Sequence, residues 1–170
     1  MTIILIGMPG CGKTCMGKAL ARKLHMKVVD ADRLIIKKDG RPLQQIINED
    51  GLDGFKKIEE EVLMSINGEN LIVSTGGSAI YYPEAMKHFK EIGKVLYLYC
   101  SLDTIKLRLG DFSKRGVALK PGQTIDDLYR ERCELYEKYA DITIDCDGNA
   151  FPLYQQRIIN ILDYIKNNDI

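Results

Sequence analysis

Five short apolar runs recur along the chain, at Ile3–Ile6, Lys27–Val29, Leu71–Ser74, Lys94–Tyr99 and Ile142–Ile144. They read as near-continuous Val, Ile, Leu and Tyr instead of alternating with polar residues, which predicts strands buried on both faces. Between them the spacing turns helical, over Lys13–Leu24, Pro42–Glu49, Leu52–Ile66, Glu84–Phe89, Leu102–Leu109, Ile125–Tyr139 and Pro152–Ile165. In the last of these, Tyr154, Ile158, Ile161, Leu162 and Ile165 share one helical face. Strands that alternate with helices predict a single α/β domain over residues 1–170, in three α/β/α layers around a central five-stranded parallel sheet. Ligands of such sheets bind beyond the carboxyl ends of the strands. That edge carries Gly7–Thr14, Asp30, Ser74–Ser78 and Ser101.

The first strand stops in "GMPGCGKT", residues 7–14, where Gly7, Gly12, Lys13 and Thr14 satisfy the phosphate-loop spacing G-x-x-x-x-G-K-[ST]. Glycines let successive backbone N–H groups curl around an anion, and the helix N-terminus behind them adds free donors and partial positive charge. Lys13 is expected to reach the β- and γ-phosphates of a nucleotide, and the Thr14 hydroxyl to ligate Mg²⁺.

Three further stretches at the same edge carry chemistry. "VVDADR" sets Asp30 and Asp32 two apart, so that in an extended segment both carboxylates point the same way, toward the phosphate loop. Their bland reading is as caps of the following helix. "STGGSAI", residues 74–80, ends a buried strand in paired glycines that bring backbone N–H groups close to the cleft, or simply turn the chain. "FKKIEEEVL", residues 55–63, turns Phe55, Ile58, Val62 and Leu63 inward, and its lysines and glutamates read as a solvated charged face. "GDFSKRGVALKPGQT", residues 110–124, has few apolar anchors and predicts a mobile lid over about 110–122. Arg130 and Arg132 follow it on a helix, and arginine suits bidentate contact with a carboxylate or phosphate.

With 24 basic and 24 acidic residues in 170, the zero net charge gives no global pull toward nucleic acid or an anionic membrane. The five cysteines include no C-x-x-C pair, which disfavours a disulfide framework or zinc site and fits a reducing cytoplasm. Met1 leads straight into a strand with no signal-peptide pattern, and no window approaches the ~20 apolar residues of a membrane span. A monomer acting on a small molecule is the expectation.

These pieces, in this order and over nearly the whole chain, resemble the shikimate kinase family of nucleoside-monophosphate-kinase-like P-loop kinases. "GMPGCGKT" resembles its phosphate loop, "DAD" its D-x-D, "FKKIE" its F-R-x-x-E, "STGGSA" its G-G-G-A loop and "RCELY" its R-x-x-L-Y. The resemblance implies ATP and Mg²⁺. It implies nucleotide contacts at Gly10, Cys11, Gly12, Lys13, Thr14 and Cys15, with Arg108 stacking on adenine and the lid arginine Arg115 reaching the phosphates. Thr14, and Asp30 through water, would hold the metal. The acceptor would meet Lys56, Gly76, Gly77 and Ser78, with its carboxylate on Arg132, while Asp32 activates its hydroxyl. Lys13, Asp32 and Arg115 form the implied catalytic set. The chain departs from the family pattern at Lys56, where the family has arginine, at Ser78, where it has a third glycine, and in the lid. Those departures keep open a kinase of this fold acting on a sugar acid, polyol or nucleoside. A nucleotide-binding regulatory module without turnover is the remaining alternative, and the intact Lys13, Thr14, Asp30, Asp32 and Arg115 set argues against it.

Overall fold

The computed structural model describes residues 1–110, 122–148 and 151–167. In chain order the strands are β1 (Thr2–Ile6), β2 (Lys27–Asp30), β3 (Leu71–Ser74), β4 (Lys94–Tyr99) and β5 (Ile142–Asp145). The helices are α1 (Lys13–Leu24), α2 (Ala31–Asp39), α3 (Leu43–Ser65), α4 (Pro83–Ile92), α5 (Leu102–Leu109), α6 (Ile125–Tyr139) and α7 (Phe151–Asn167), with a 3₁₀ turn at Ala79–Tyr81. All four strand pairings are parallel and the order across the sheet is β2-β3-β1-β4-β5. Every residue of β1 is buried, as its unbroken apolar run requires of a central strand covered by helices on both faces. The edge strand β2 is more open, with Lys27 and Val28 exposed. Among the described residues no helix is long and apolar enough to cross a membrane.

Two departures from the expected elements matter for the site. Residues 31–39 form a helix that the apolar spacing did not predict, so Asp32 sits in a first helical turn and not in an extended segment. The physical reason is that Asp30 closes β2 and at once caps α2, its side chain accepting a hydrogen bond from Arg33 N at 3.3 Å. The second departure is α3, where the two expected helices follow each other directly across a break at Gly51 (φ 72°, ψ 178°), a conformation open essentially to glycine alone.

The main core packs β1 and β3 against α1, β4 against α4, and β5 against α7. A separate small core, formed by Ile35, Ile46, Phe55 and Val62, joins α2 to α3. This second core holds up one wall of the cleft described next.

Candidate active site

A cleft of about 730 Å³ opens at the carboxyl edge of the sheet, between the 7–14 loop, α2, the first half of α3 and α6. Gly7, Gly10 and Gly12 all take positive φ (143°, 83° and 106°), which is what lets the loop turn from β1 into α1. A side chain at Gly7 would also strike the Leu98 carbonyl at 2.7 Å. Gly12 starts α1 with no side-chain cap and no acidic residue in the first turn, so the leading N–H groups are not claimed by a cap and face the cleft with the helix dipole behind them. The Lys13 ammonium folds back onto the loop, donating to Gly7 O at 2.7 Å and Met8 O at 3.1 Å. Thr14 and Cys15 are exposed in the first turn, whereas Cys11 is buried beneath the loop, its Sγ 3.8 Å from Lys13 Nζ.

Asp30 and Asp32 both face this cleft, although by a route other than the extended one. Asp32 lies on the first turn of α2. Burial raises its carboxyl above the ordinary value, the neighbouring Asp30 charge adds to the rise, and Lys13 opposes it. A carboxylate held up in this way, facing a lysine across a cleft, is chemically a proton acceptor in waiting.

The expectation that Glu59 belongs to a solvated charged face is wrong. Glu59 is 1% exposed. Its carboxylate accepts from Ser78 Oγ at 2.7 and 2.8 Å and from the Tyr82 hydroxyl at 2.7 Å. Burial raises its carboxyl, the Ser78 and Tyr82 donors pull it back, and the charge of Asp32 raises it again. A signal for this was present, because Glu59 is four residues after Phe55 and four before Leu63, on the apolar stripe. The glycines beside it are explained by the same cluster. A Cβ on Gly76 would lie 2.8 Å from Glu59 Oε1 and 3.2 Å from Asp32 Oδ1, and one on Gly77 would lie 2.9 Å from an Arg132 nitrogen and from Pro9 Cδ. These glycines make room for side chains that converge on the cleft.

Arg132 completes that wall. It is 5% exposed, stacks over the Tyr81 ring at 5.4 Å and donates from Nε to the Tyr81 hydroxyl at 3.4 Å. One helical turn on, Tyr136 stacks against Tyr97 and donates to Gly77 O at 2.6 Å, which fixes α6 to the 76–78 loop. Burial works against the Arg132 charge, but the Tyr136 and Tyr81 hydroxyls and Glu59 outweigh it and hold the guanidinium more firmly protonated than usual. Tyr81, Tyr82 and Tyr136 went unassigned in the sequence because their roles depend on contacts between distant segments.

Ser78, at φ −91° and ψ −9°, is unstrained where it stands. Ser78→Gly should therefore lose a donor to a buried carboxylate and gain chain entropy in the unfolded state. Unfolding in urea should show a stability loss of about 1–3 kcal/mol. An unchanged midpoint and slope would mean that Ser78 does not hold Glu59.

The remaining expected residues fall less simply. Lys56 reaches the cleft mouth but is exposed, and its ammonium pairs at 3.5 Å with Asp53 and not with a glutamate. Arg108 is committed to the loop architecture, donating to the carbonyls of Gly10, Cys11, Cys146 and Gly148 and to Cys100 Sγ. It so ties the phosphate loop to the ends of β4 and β5. Arg115 and almost all of the expected lid lie outside the described residues. The five cysteines are free thiols.

The chain matches the shikimate kinase family model over residues 9–163. It is 41% identical over 152 residues to a shikimate kinase of Bacillus anthracis, covering 88% of this chain and 90% of that one. To a shikimate kinase of Pasteurella multocida it is 33% identical over 165 residues, covering 95% and 94%. Among solved structures, the shikimate kinase of Acinetobacter baumannii in complex with shikimate superposes with a TM-score of 0.85 at 30% identity, covering 99% of this chain and 94% of that one. The Aquifex aeolicus shikimate kinase superposes with a TM-score of 0.79 at 29% identity, covering 99% and 98%.

Proposed function

Because the chain belongs to the shikimate kinase family, we propose that it transfers the γ-phosphoryl group of ATP to a hydroxyl of shikimate, using the cleft residues in the roles that follow. It is an ATP-dependent phosphotransferase with an alcohol as acceptor. The observation that carries the assignment of roles is the layout of the cleft. The uncapped α1 N-terminus and Lys13 form one wall, buried Arg132 another, and Asp32 faces the same space.

The phosphates of ATP lie on the loop N–H groups of Gly10–Cys15, and Lys13 leaves the Gly7 and Met8 carbonyls to meet the β- and γ-oxygens. Arg115 belongs to the same phosphates and Arg108 to the adenine side. The acceptor carboxylate pairs with Arg132, whose planar fork suits it, with Lys56 adding a point charge once free of Asp53. Gly76, Gly77 and Ser78 form the floor beneath the acceptor. The bond from the γ-phosphorus to the oxygen of ADP breaks as the bond to the acceptor oxygen forms, and the hydroxyl proton passes to Asp32.

Thr14 with Asp30 and Asp32 is an all-oxygen donor set, which suits a hard divalent cation that keeps most of its water. Thr14, and Asp30 through water, would hold Mg²⁺, whose charge offsets that of the β- and γ-phosphates. The free thiols support a reducing cytoplasmic setting, and action as a monomer belongs to the same reading.

A coupled ADP-release assay across shikimate, quinate, gluconate and nucleosides tests the acceptor. Shikimate should give the highest kcat/KM. Lys56→Arg should lower KM for shikimate by restoring a fork, recovering part of the about 1.5–3 kcal/mol of a hydrogen bond to a charged group. Negligible shikimate turnover in both proteins, with brisk turnover of another alcohol, would overturn the acceptor and leave the kinase class standing.

A further inference from the structure

All five N–H donors of one arginine outside the cleft lining are used. Arg41 donates to both oxygens of Asp39, from Nε at 2.6 Å and Nη2 at 2.8 Å. It also donates to Glu49 Oε2 at 2.8 Å, and to Asp50 Oδ1 and Oδ2 at 3.1 and 2.5 Å. Asp39 is the last residue of α2, and Glu49 and Asp50 are the last residues of α3 before its break at Gly51. Gly40 closes α2 in the left-handed conformation and Pro42 starts α3, so the connection between the helices is only Gly40, Arg41 and Pro42. The segment 43–50 is therefore held at its start by the short turn and at its end by the arginine placed in that turn.

This segment supplies Leu43 and Ile47 to the cleft, with Leu52 and Phe55 following the break. Its only fully buried apolar anchor is Ile46, in the small core shared with Ile35, Phe55 and Val62. One buried side chain over two helical turns is a thin attachment, and Gly51 gives the segment a place to pivot. The guanidinium holds the Asp39, Glu49 and Asp50 carboxyls below their ordinary values. Without it, three carboxylates would face each other across the turn and push the end of the segment away from α2.

We propose that Arg41 is a positioning residue for the acceptor, a clamp that holds the 43–50 wall of the cleft against α2 across the Gly51 break. The proposal rests on the kinase reading above for the identity of the acceptor, and on the hydrogen-bond geometry alone for the clamp. Arg41 is not among the residues that line the cleft, so its loss should loosen acceptor binding through the 43–50 wall and leave the nucleotide side alone.

The test compares wild type, Arg41→Ala and Arg41→Lys. In Arg41→Ala, KM for shikimate should rise about fivefold, the effect of exposed ion pairs that act as a network, while KM for ATP stays within experimental error. Arg41→Lys neutralises the acids without the fork and should restore part of the loss. Amide exchange without any ligand reads the clamp independently of the acceptor. Residues 43–50 should exchange about fivefold faster in Arg41→Ala, with residues 52–65 unchanged. Wild-type exchange in 43–50 would overturn the clamp, and KM values that rise equally for both substrates would overturn the positioning role. If wild type failed to use shikimate, the acceptor assignment alone would fall, and the exchange comparison would still decide the clamp.

Discussion

Lys13→Ala is expected to lower kcat by about 10²–10³-fold while the fold survives. Lys13 is 9% exposed and its ammonium rests on the carbonyls of Gly7 and Met8, within the loop that receives the phosphates. It exchanges those two carbonyls for phosphate oxygens when the nucleotide binds, so its reorganisation is complete before negative charge builds on the transferring oxygens. Removing one such donor typically costs about 3–4 kcal/mol of transition-state stabilisation. The fold should tolerate the change because the loop is held by other bonds. Cys11 N donates to Met8 O at 3.1 Å, Met16 N to Gly12 O at 2.9 Å, and Arg108 clasps the Gly10 and Cys11 carbonyls. Coupled ADP release and circular dichroism on the same preparation separate the two effects. Turnover near wild type in a folded Lys13→Ala protein would remove the phosphate-loop assignment.

Asp32→Asn should also cost about 10²–10⁴-fold in kcat/KM, the usual contribution of a positioned general base. Two pH dependences identify it further. The acidic limb of kcat/KM in wild type should lie above the ordinary carboxylate range, because burial and the Asp30 charge raise the Asp32 carboxyl. Stability should move the opposite way from activity. A carboxyl raised in the folded state binds its proton more tightly there than in the unfolded chain. Its stabilising contribution is complete below the unfolded value of 3.8 and is lost as pH rises through the raised folded value. At neutral pH the ionised Asp32 therefore weighs against the fold, and Asp32→Asn should raise Tm there while the advantage vanishes in acid. Glu59, raised by burial in the same way, adds to this pH dependence, and because the Asp32 charge contributes to that rise, Asp32→Asn also relieves part of it, in the same direction. A folded Asp32→Asn protein with wild-type kcat/KM would exclude Asp32 as the base. An equal Tm for the two proteins at neutral pH would show that its carboxylate carries no desolvation penalty.

What could be read along the chain was whatever depends on neighbours in sequence. The phosphate loop is contiguous, its glycines take the positive φ values that a strand-to-helix turn demands, and its helix starts at Lys13 as the spacing predicts. The central strands β1, β3 and β4 were legible because a strand buried on both faces has no polar alternation to confuse it. The edge strands β2 and β5 kept short Val and Ile runs although they are more open than expected, and α5 and α6 match the expected helices at both ends. The helix α2 was not legible: nine residues long, it begins at the residue after β2 with no loop between, and Asp30 serves both elements. Asp32 was found for a reason that does not hold, since it reaches the cleft from a helical turn.

Pairings across the chain were decided only by tertiary structure. Glu59 among lysines and glutamates has a local explanation as a surface residue. It becomes a buried acceptor only when the loop after β3 brings Ser78 and Tyr82, 19 and 23 residues away, onto its carboxylate. Lys56 resembles an acceptor ligand by motif, and the fold does bring it to the cleft mouth, but its ammonium there pairs with Asp53, an i, i+3 neighbour on the same exposed face, which no motif announces. Arg41 stands in a Gly-Arg-Pro turn that carries no motif at all. Its role follows from folding α3 back so that Glu49 and Asp50 meet Asp39, and a side chain's work in such a cluster is set by which charges the packing of helices forces together.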